Sequence, residues 1–163
     1  LVAIERTMST KAIQDTGTKL DARVNAELLA SLFFPHTPLH DGGVIVSGGR
    51  IVAAGCLFPL CQRPELSRGL GTRHRAAMGL TEETDAIAVV VSEETGTISV
   101  SSRGRLSRDF DEERLRRFLN AVLNREPAAG GRWSRARQQL ESSLKTIGRE
   151  PVTGVGEDKP DAG

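Results

Sequence analysis

The sequence predicts a mixed α/β (α+β) fold: a single globular domain with a central sheet of about five or more strands, flanked by four or five helices. Three observations carry this. Ala86 to Val91 is an apolar, mostly β-branched run of strand length. Val44 to Ala54 reads as a hairpin, two apolar runs joined across Ser47-Gly48-Gly49. Asp111 to Leu123 places apolar residues at helical spacing. A chain of 163 residues has room for one buried core.

The elements follow in order. Leu1 to Glu5 is a short apolar run that suits a buried strand. Ser9 is placed to cap a helix over Thr10 to Asp15, which Gly17 stops. Asp21 to Phe34 carries Val24, Leu28, Leu29, Leu32 and Phe33 at helical spacing, and Pro35 ends it. Pro35 to Gly43 is a loop by its prolines and glycines. After the hairpin, Gln62 to Gly71 is irregular, and a helix is expected from Thr72, as N-cap, to about Leu80. Glu94-Thr95-Gly96 turns the chain out of the strand at Ala86 to Val91, and Thr97 to Ser101 returns as another strand. Asp111, Glu112 and Glu113 fill the first turn of the next helix, where negative charge suits the dipole. Residues 126–147 are expected to form a C-terminal helical extension, with Trp133, Ala136, Leu140, Leu144 and Ile147 on one face. Residues 148–163, rich in Gly, Pro and charge, are expected to be a disordered tail.

Composition narrows the function. Hydrophobic residues make up 38% of the chain in short, broken runs. None approaches the roughly 20 consecutive apolar residues of a membrane helix. A basic region followed by an apolar one, the mark of a signal peptide, is not seen at the start. The opening Leu1-Val2-Ala3-Ile4, without Met, reads as a piece of a longer protein. A net charge of +1 and only 4% aromatic residues argue against nucleic-acid binding. The twelve Lys/Arg against six Asp/Glu between Arg103 and Arg149 would suit an anionic surface such as RNA or a membrane face, but read first as a solvated helical face. Cys56 and Cys61, five apart across Pro59, match neither a redox pair nor a zinc knuckle and read as reduced thiols.

Chemistry concentrates in three segments. In Thr72-Arg73-His74-Arg75, three basic residues would occupy a helix's first turn, where the dipole is already positive. Such a turn makes sense around an anion: backbone N–H groups, a hydroxyl and guanidinium forks converge on phosphate oxygens. The competing reading is that these side chains splay into solvent or pair with Glu82, Glu83 or Glu93. In His40-Asp41-Gly42-Gly43, glycines admit close backbone approach, and a carboxylate beside them suits a divalent metal or a hydroxyl. The competing reading is a plain Asp-Gly turn. Ser92-Glu93-Glu94-Thr95-Gly96 ends the strongest strand, either as a site for catalytic groups or as a charged hairpin tip. His36 and His40 are four apart, but the prolines between and before them disfavour a helical pair of zinc ligands.

Together these segments resemble the diadenylate cyclase (DAC, DisA_N-type) domain family, which shows Asp-Gly-Ala, Gly-Thr-Arg-His-Arg and Ser-Glu-Glu-Thr-Gly elements in this order. Here they stand as Asp41-Gly42-Gly43, Gly71 to Arg75, and Ser92 to Gly96. Leu20-Asp21-Ala22, Thr37-Pro38-Leu39-His40, Arg75-Ala76-Ala77 and Thr84-Asp85 add to the likeness, which runs from about Leu1 to Leu123 and makes 1–125 the catalytic domain. The one departure is Gly43, where the family has Ala.

The resemblance implies that two ATP condense to cyclic di-AMP and two pyrophosphates at a face-to-face homodimer, with Mg²⁺ or Mn²⁺ as cofactor. It implies catalytic roles for Asp41, Thr72, Arg73, His74 and Arg75. Gly42, Gly43, Leu57, Phe58, Thr72, Arg73, His74, Ser92 and Glu93 would bind nucleotide, and His40, Asp41 and Glu93 would hold metal. Arg75 would join the phosphate site or brace the helix through an acidic partner. Leu57 stands where the family has an aromatic beside adenine. The likeness is strongest to membrane-anchored, CdaA-type synthases. It implies a cytoplasmic domain, anchored through an N-terminal region, with a phosphoglucosamine mutase as a regulatory partner. The alternative is a non-catalytic sensor that binds ATP or cyclic di-AMP; the presence of Asp41 favours the enzyme.

Overall fold

A computed structural model describes residues 1–63 and 70–124. The expected C-terminal extension and tail lie outside the described residues. Seven strands form one sheet in the order β2-β4-β3-β1-β5-β6-β7. They are β1 (Val2–Ile4), β2 (Thr18–Arg23), β3 (Gly43–Ser47), β4 (Arg50–Cys56), β5 (Ile87–Val91), β6 (Ile98–Ser102) and β7 (Arg105–Phe110). Only the β1–β3 pair is parallel; every other neighbour is antiparallel. The helices are α1 (Lys11–Gln14), α2 (Ala26–Leu32), α3 (Thr72–Glu83) and α4 (Glu112–Leu123).

Period-two alternation, broken in β4 by a bulge between Ile51 and Ala53, assigns the faces of the sheet. Ala3, Ile45, Ala53, Ala88 and Val90 pack with Ala76, Ala77 and Leu80 of α3. Val44 and Ile51 instead meet α2, through Leu28, Leu29 and Leu32. Ile87 and Val100 meet α4, through Leu115, Phe118, Leu119 and Val122. The α3 face of the sheet is rich in alanine, so the helix can lie close. Its own Gly79 lets the chain at Pro59 cross directly over it: a Cβ at residue 79 would stand 2.1 Å from the Pro59 carbonyl oxygen.

The seven strands agree with the expected sheet, but two of them, β2 and β7, fall outside the segments predicted as strands. The predicted helix over Asp21 to Phe34 is a strand followed by a shorter helix. Ala22 and Arg23 pair with Ile51 and Arg50 of β4. The helix begins only after Asn25, whose side-chain oxygen accepts from the Leu28 N–H at 2.7 Å. A strong N-cap inside an apolar pattern thus divides it. The second is β7, a polar edge strand next to β6.

Three helix starts also shift. Thr10, not Ser9, is the N-cap of α1; its N–H and hydroxyl both donate to Glu5, at 2.7 and 2.6 Å. Gly71, not Thr72, caps α3, and the helix runs on to Glu83. Asp111 is itself the cap of α4, accepting from the Arg114 N–H at 2.6 Å, and leaves Glu112 and Glu113 in the first turn. Cys56 and Cys61 are free and buried, as expected of reduced thiols.

Candidate active site

The N-terminus of α3 stands at the junction of two cavities. With Gly71 as cap, Thr72, Arg73 and His74 are the first three helical residues. The His74 and Arg75 N–H groups turn back to the Gly71 carbonyl at 3.1 and 3.2 Å. Those of Thr72 and Arg73 have no intrahelical acceptor by the geometry of a helix start. Thr72 and Arg73 line both cavities and form the wall between them.

The smaller cavity, about 250 Å³, is mainly apolar. Leu57, Phe58 and Leu60, on the chain leaving β4, form one side, and Asp41, Gly42 and Gly43 form another. Gly42 has φ +104°, and a Cβ there would lie 2.7 Å from the Gly55 carbonyl carbon, so only glycine lets this loop cross β4. The crossing presents the exposed Asp41 at the cavity rim. The ring of Phe58 rests on Gly43, and Leu57 is 70% exposed.

The larger cavity, about 600 Å³, is polar. Opposite α3 stand the end of β5 with its turn, Ser92 to Thr95, and the ends of β6 and β7. Ser92 shapes that turn: its carbonyl accepts from the Gly96 N–H at 2.9 Å, and its hydroxyl from the Thr95 N–H at 3.3 Å. Arg73 Nη1 donates to Glu93 Oε2 at 2.7 Å across the cleft. The pairing that competed with phosphate binding is thus formed, but inside the cavity and at its exposed end, since the Glu93 side chain is 68% exposed. An ion pair so open contributes roughly 0–1 kcal/mol, so it yields readily to a polyanion. Burial, and then the charge of Arg108, hold the His74 imidazole below its ordinary value of 6.5.

Arg75 turns elsewhere. It lines neither cavity, and its brace is a backbone one rather than an acidic partner: Nη2 donates to the Cys61 carbonyl at 3.3 Å, while the Cys61 N–H donates to the Arg75 carbonyl at 3.0 Å. With Gly79 beneath Pro59, this fixes the chain that carries Leu57, Phe58 and Leu60.

The His40 Nδ1 meets the Thr37 carbonyl, which only accepts, so a neutral imidazole held in this way has its proton on Nδ1 and Nε2 open to a ligand. This is the second-sphere arrangement of a ligating histidine. No group of three His, Cys, Asp or Glu converges among the described residues. Asp41 lines only the smaller cavity and Glu93 only the larger, so a hard divalent ion would take one or two carboxylates and complete its shell with phosphate oxygens and water.

Sequence reasoning missed Thr97, Ser99, Arg108 and Asp109, all on the larger cavity. Ser99 is 1% exposed, and its hydroxyl has no hydrogen-bond partner among the described residues.

Residues 1–106 match the family model described as DisA bacterial checkpoint controller nucleotide-binding. The chain belongs to the DAC family. Among its relatives, the cyclic di-AMP synthase CdaA of Bacillus subtilis is 45% identical over 135 residues, which are 82% of this chain and 50% of that protein. A diadenylate cyclase of Listeria monocytogenes is 43% identical over 137 residues, again 82% and 50%. The crystal structure of a double mutant of DacA from Staphylococcus aureus matches with a TM-score of 0.72 and 42% identity, over 74% of this chain and 80% of that one. The chain spans about half the length of the curated relatives it matches. Among the described residues, no helix is long and apolar enough to cross a membrane.

Proposed function

We propose that this DAC domain is a diadenylate cyclase, which condenses two ATP into cyclic di-AMP with release of two pyrophosphates. The observation that carries the reading is the shared wall at Thr72 and Arg73. An apolar cavity fit for a purine lies on one side of that wall, and on the other lies a polar cleft where Arg73 and the N-terminus of α3 suit a triphosphate. A nucleotide laid across it sets its α-phosphate at the N-terminus of α3, where N–H groups and the dipole favour anions. The names of the relatives support the same reaction.

In this reading each protomer holds one ATP, and two protomers meet face to face. The 3′-oxygen of each ATP attacks the α-phosphorus held by the other. A new P–O bond forms, the bond to the bridging α–β oxygen breaks, and pyrophosphate leaves. Asp41, at the rim of the base cavity, orients the 3′-hydroxyl and takes its proton. Thr72, Arg73 and His74 stabilise the charge that builds on the transferring phosphoryl group, and Ser92 supports the turn across the cleft. The work is mostly positioning and electrostatics, as in other phosphoryl-type transfers. Mg²⁺ or Mn²⁺ would be held by one or two donors, Asp41 with His40 on one side or Glu93 on the other, together with phosphate oxygens and water, and would neutralise phosphate charge.

Incubation of the protein with ATP and Mn²⁺ or Mg²⁺, followed by mass analysis, tests the proposal. Cyclic di-AMP is the expected product. ATP binding without turnover would instead indicate a sensor, and no ATP binding would remove the reading altogether.

A further inference from the structure

The larger cavity has a wall that none of the family's three sequence elements supplies. β7 brings Arg108 and Asp109 to it, opposite Thr72, Arg73 and His74. Arg108 is exposed and close enough to His74 for its charge to act on the imidazole. The acids on the same cavity are Glu93, already engaged with Arg73, Glu94 and Asp109. Ser99, with its buried and unpartnered hydroxyl, lies on the neighbouring strand.

Position along the nucleotide separates Arg108 from Arg73. Arg73 lines both cavities and so stands at the crossing point, where the α-phosphate belongs. Arg108 lines only the larger cavity, beyond the wall and away from Asp41 and Phe58. A triphosphate that starts at the wall and runs away from Asp41 enters the cleft that β7 helps to line.

From this placement, and resting on the cyclase reading, we infer that Arg108 is a ligand of the β- and γ-phosphates of ATP and of the departing pyrophosphate. A guanidinium there presents a planar fork to phosphate oxygens and stays charged at any working pH. It opposes the negative charge that gathers on pyrophosphate as the α–β bond breaks, so it aids departure as well as binding.

The test compares the 163-residue chain with its Arg108→Ala and Arg108→Lys variants by calorimetry with ATP, pyrophosphate and AMP. Arg108→Ala is expected to weaken ATP and pyrophosphate binding roughly tenfold or more, the scale of a lost charge-assisted hydrogen bond. AMP, which lacks the distal phosphates, is expected to bind as it does to the parent, which also reports an intact fold. Arg108→Lys, with the charge but not the fork, falls between. Unchanged ATP affinity in Arg108→Ala, or equal loss for ATP and AMP, would overturn the assignment. A parent chain that binds neither ATP nor pyrophosphate would overturn the cyclase reading and this inference with it. A parent that binds both and a variant that matches it would overturn the inference alone.

Discussion

Gly43 lies directly against the ring of Phe58: a Cβ at residue 43 would stand 2.4 Å from the ring's Cζ. The family has Ala at this position. Here the missing methyl is what gives the aromatic ring its seat in the wall of the base cavity. Gly43→Ala is therefore expected to drive the ring off its seat and into the cavity. Stability falls by about 1 kcal/mol, the low end for overpacking because the ring can rotate. ATP affinity falls by roughly tenfold, or about 1.4 kcal/mol. Adding Phe58→Leu should restore affinity. Calorimetry on the single and double variants checks this, and unchanged affinity in Gly43→Ala would show that the ring does not wall the site.

Asp41→Asn removes the proposed proton acceptor and keeps the shape. Cyclic di-AMP formation should cease. Because Asp41 is exposed, stability should stay within about 0.5 kcal/mol. Thermal melting and the mass assay, run together, separate the two effects; parental turnover would sink the role given to Asp41.

The Arg73–Glu93 pair predicts opposite signs for its two members. Arg73→Ala should weaken ATP binding roughly tenfold or more. Glu93→Gln frees Arg73, so without divalent metal ATP should bind more tightly than to the parent. With Mn²⁺ present, the same variant should turn over more slowly, since a carboxylate ligand is gone. An unaltered Mn²⁺ dependence would strike Glu93 from the metal set.

Much of this site was legible because it lies in short contiguous segments. The α3 motif, the Asp-Gly-Gly loop and the Ser-Glu-Glu turn each declare themselves by residue type, and the structure brings all three to adjoining cavities. What was hidden depends on pairing. Arg105–Phe110 alternates weakly, with Arg, Ser and Asp along an edge strand, so neither β7 nor Arg108 stood out. Val24 extends the apolar pattern of α2 backwards across β2 and so masks the N-cap at Asn25. Arg75 shares its motif with residues that line the cavities, yet its partner is a backbone carbonyl remote in sequence.

Gly79→Ala should cost about 1–3 kcal/mol through overpacking, although alanine is the better helix former by about 1 kcal/mol. The clash is with backbone at Pro59, which has no rotamer to yield. Denaturant unfolding measures the loss, and nucleotide affinity should fall with it as the Leu57–Leu60 segment lifts. A variant as stable as the parent would mean that this crossing is loose.

Acid should loosen the protein through two carboxylates. Burial pushes the Glu5 carboxyl up, but hydrogen bonds from Thr10, Ser47 and Gln14 outweigh it and leave it below its ordinary 4.5. Asp85, below its ordinary 3.8, is likewise held against burial by Thr7, Met8 and the charge of Arg6. Both pKa values are lower in the folded state, so their stabilisation is full above the unfolded values. It is lost as pH falls from those values through the folded ones. Unfolding free energy against pH should therefore drop below about pH 4.5, and Glu5→Gln should flatten that slope.

The strand order has a consequence for how the protein is made. β2, β4 and β3 form one antiparallel group and β5, β6 and β7 another, while β1, three residues long, is the seam between them. Val2 to Ile4 are synthesised before either group, yet find both neighbours only once Val91 has followed. The seam must therefore wait, and closing it is the late, long-range step that joins two locally assembled halves. The smaller cavity, beside β3 and β4, and the larger, beside β5 to β7, are sewn together by the same three residues.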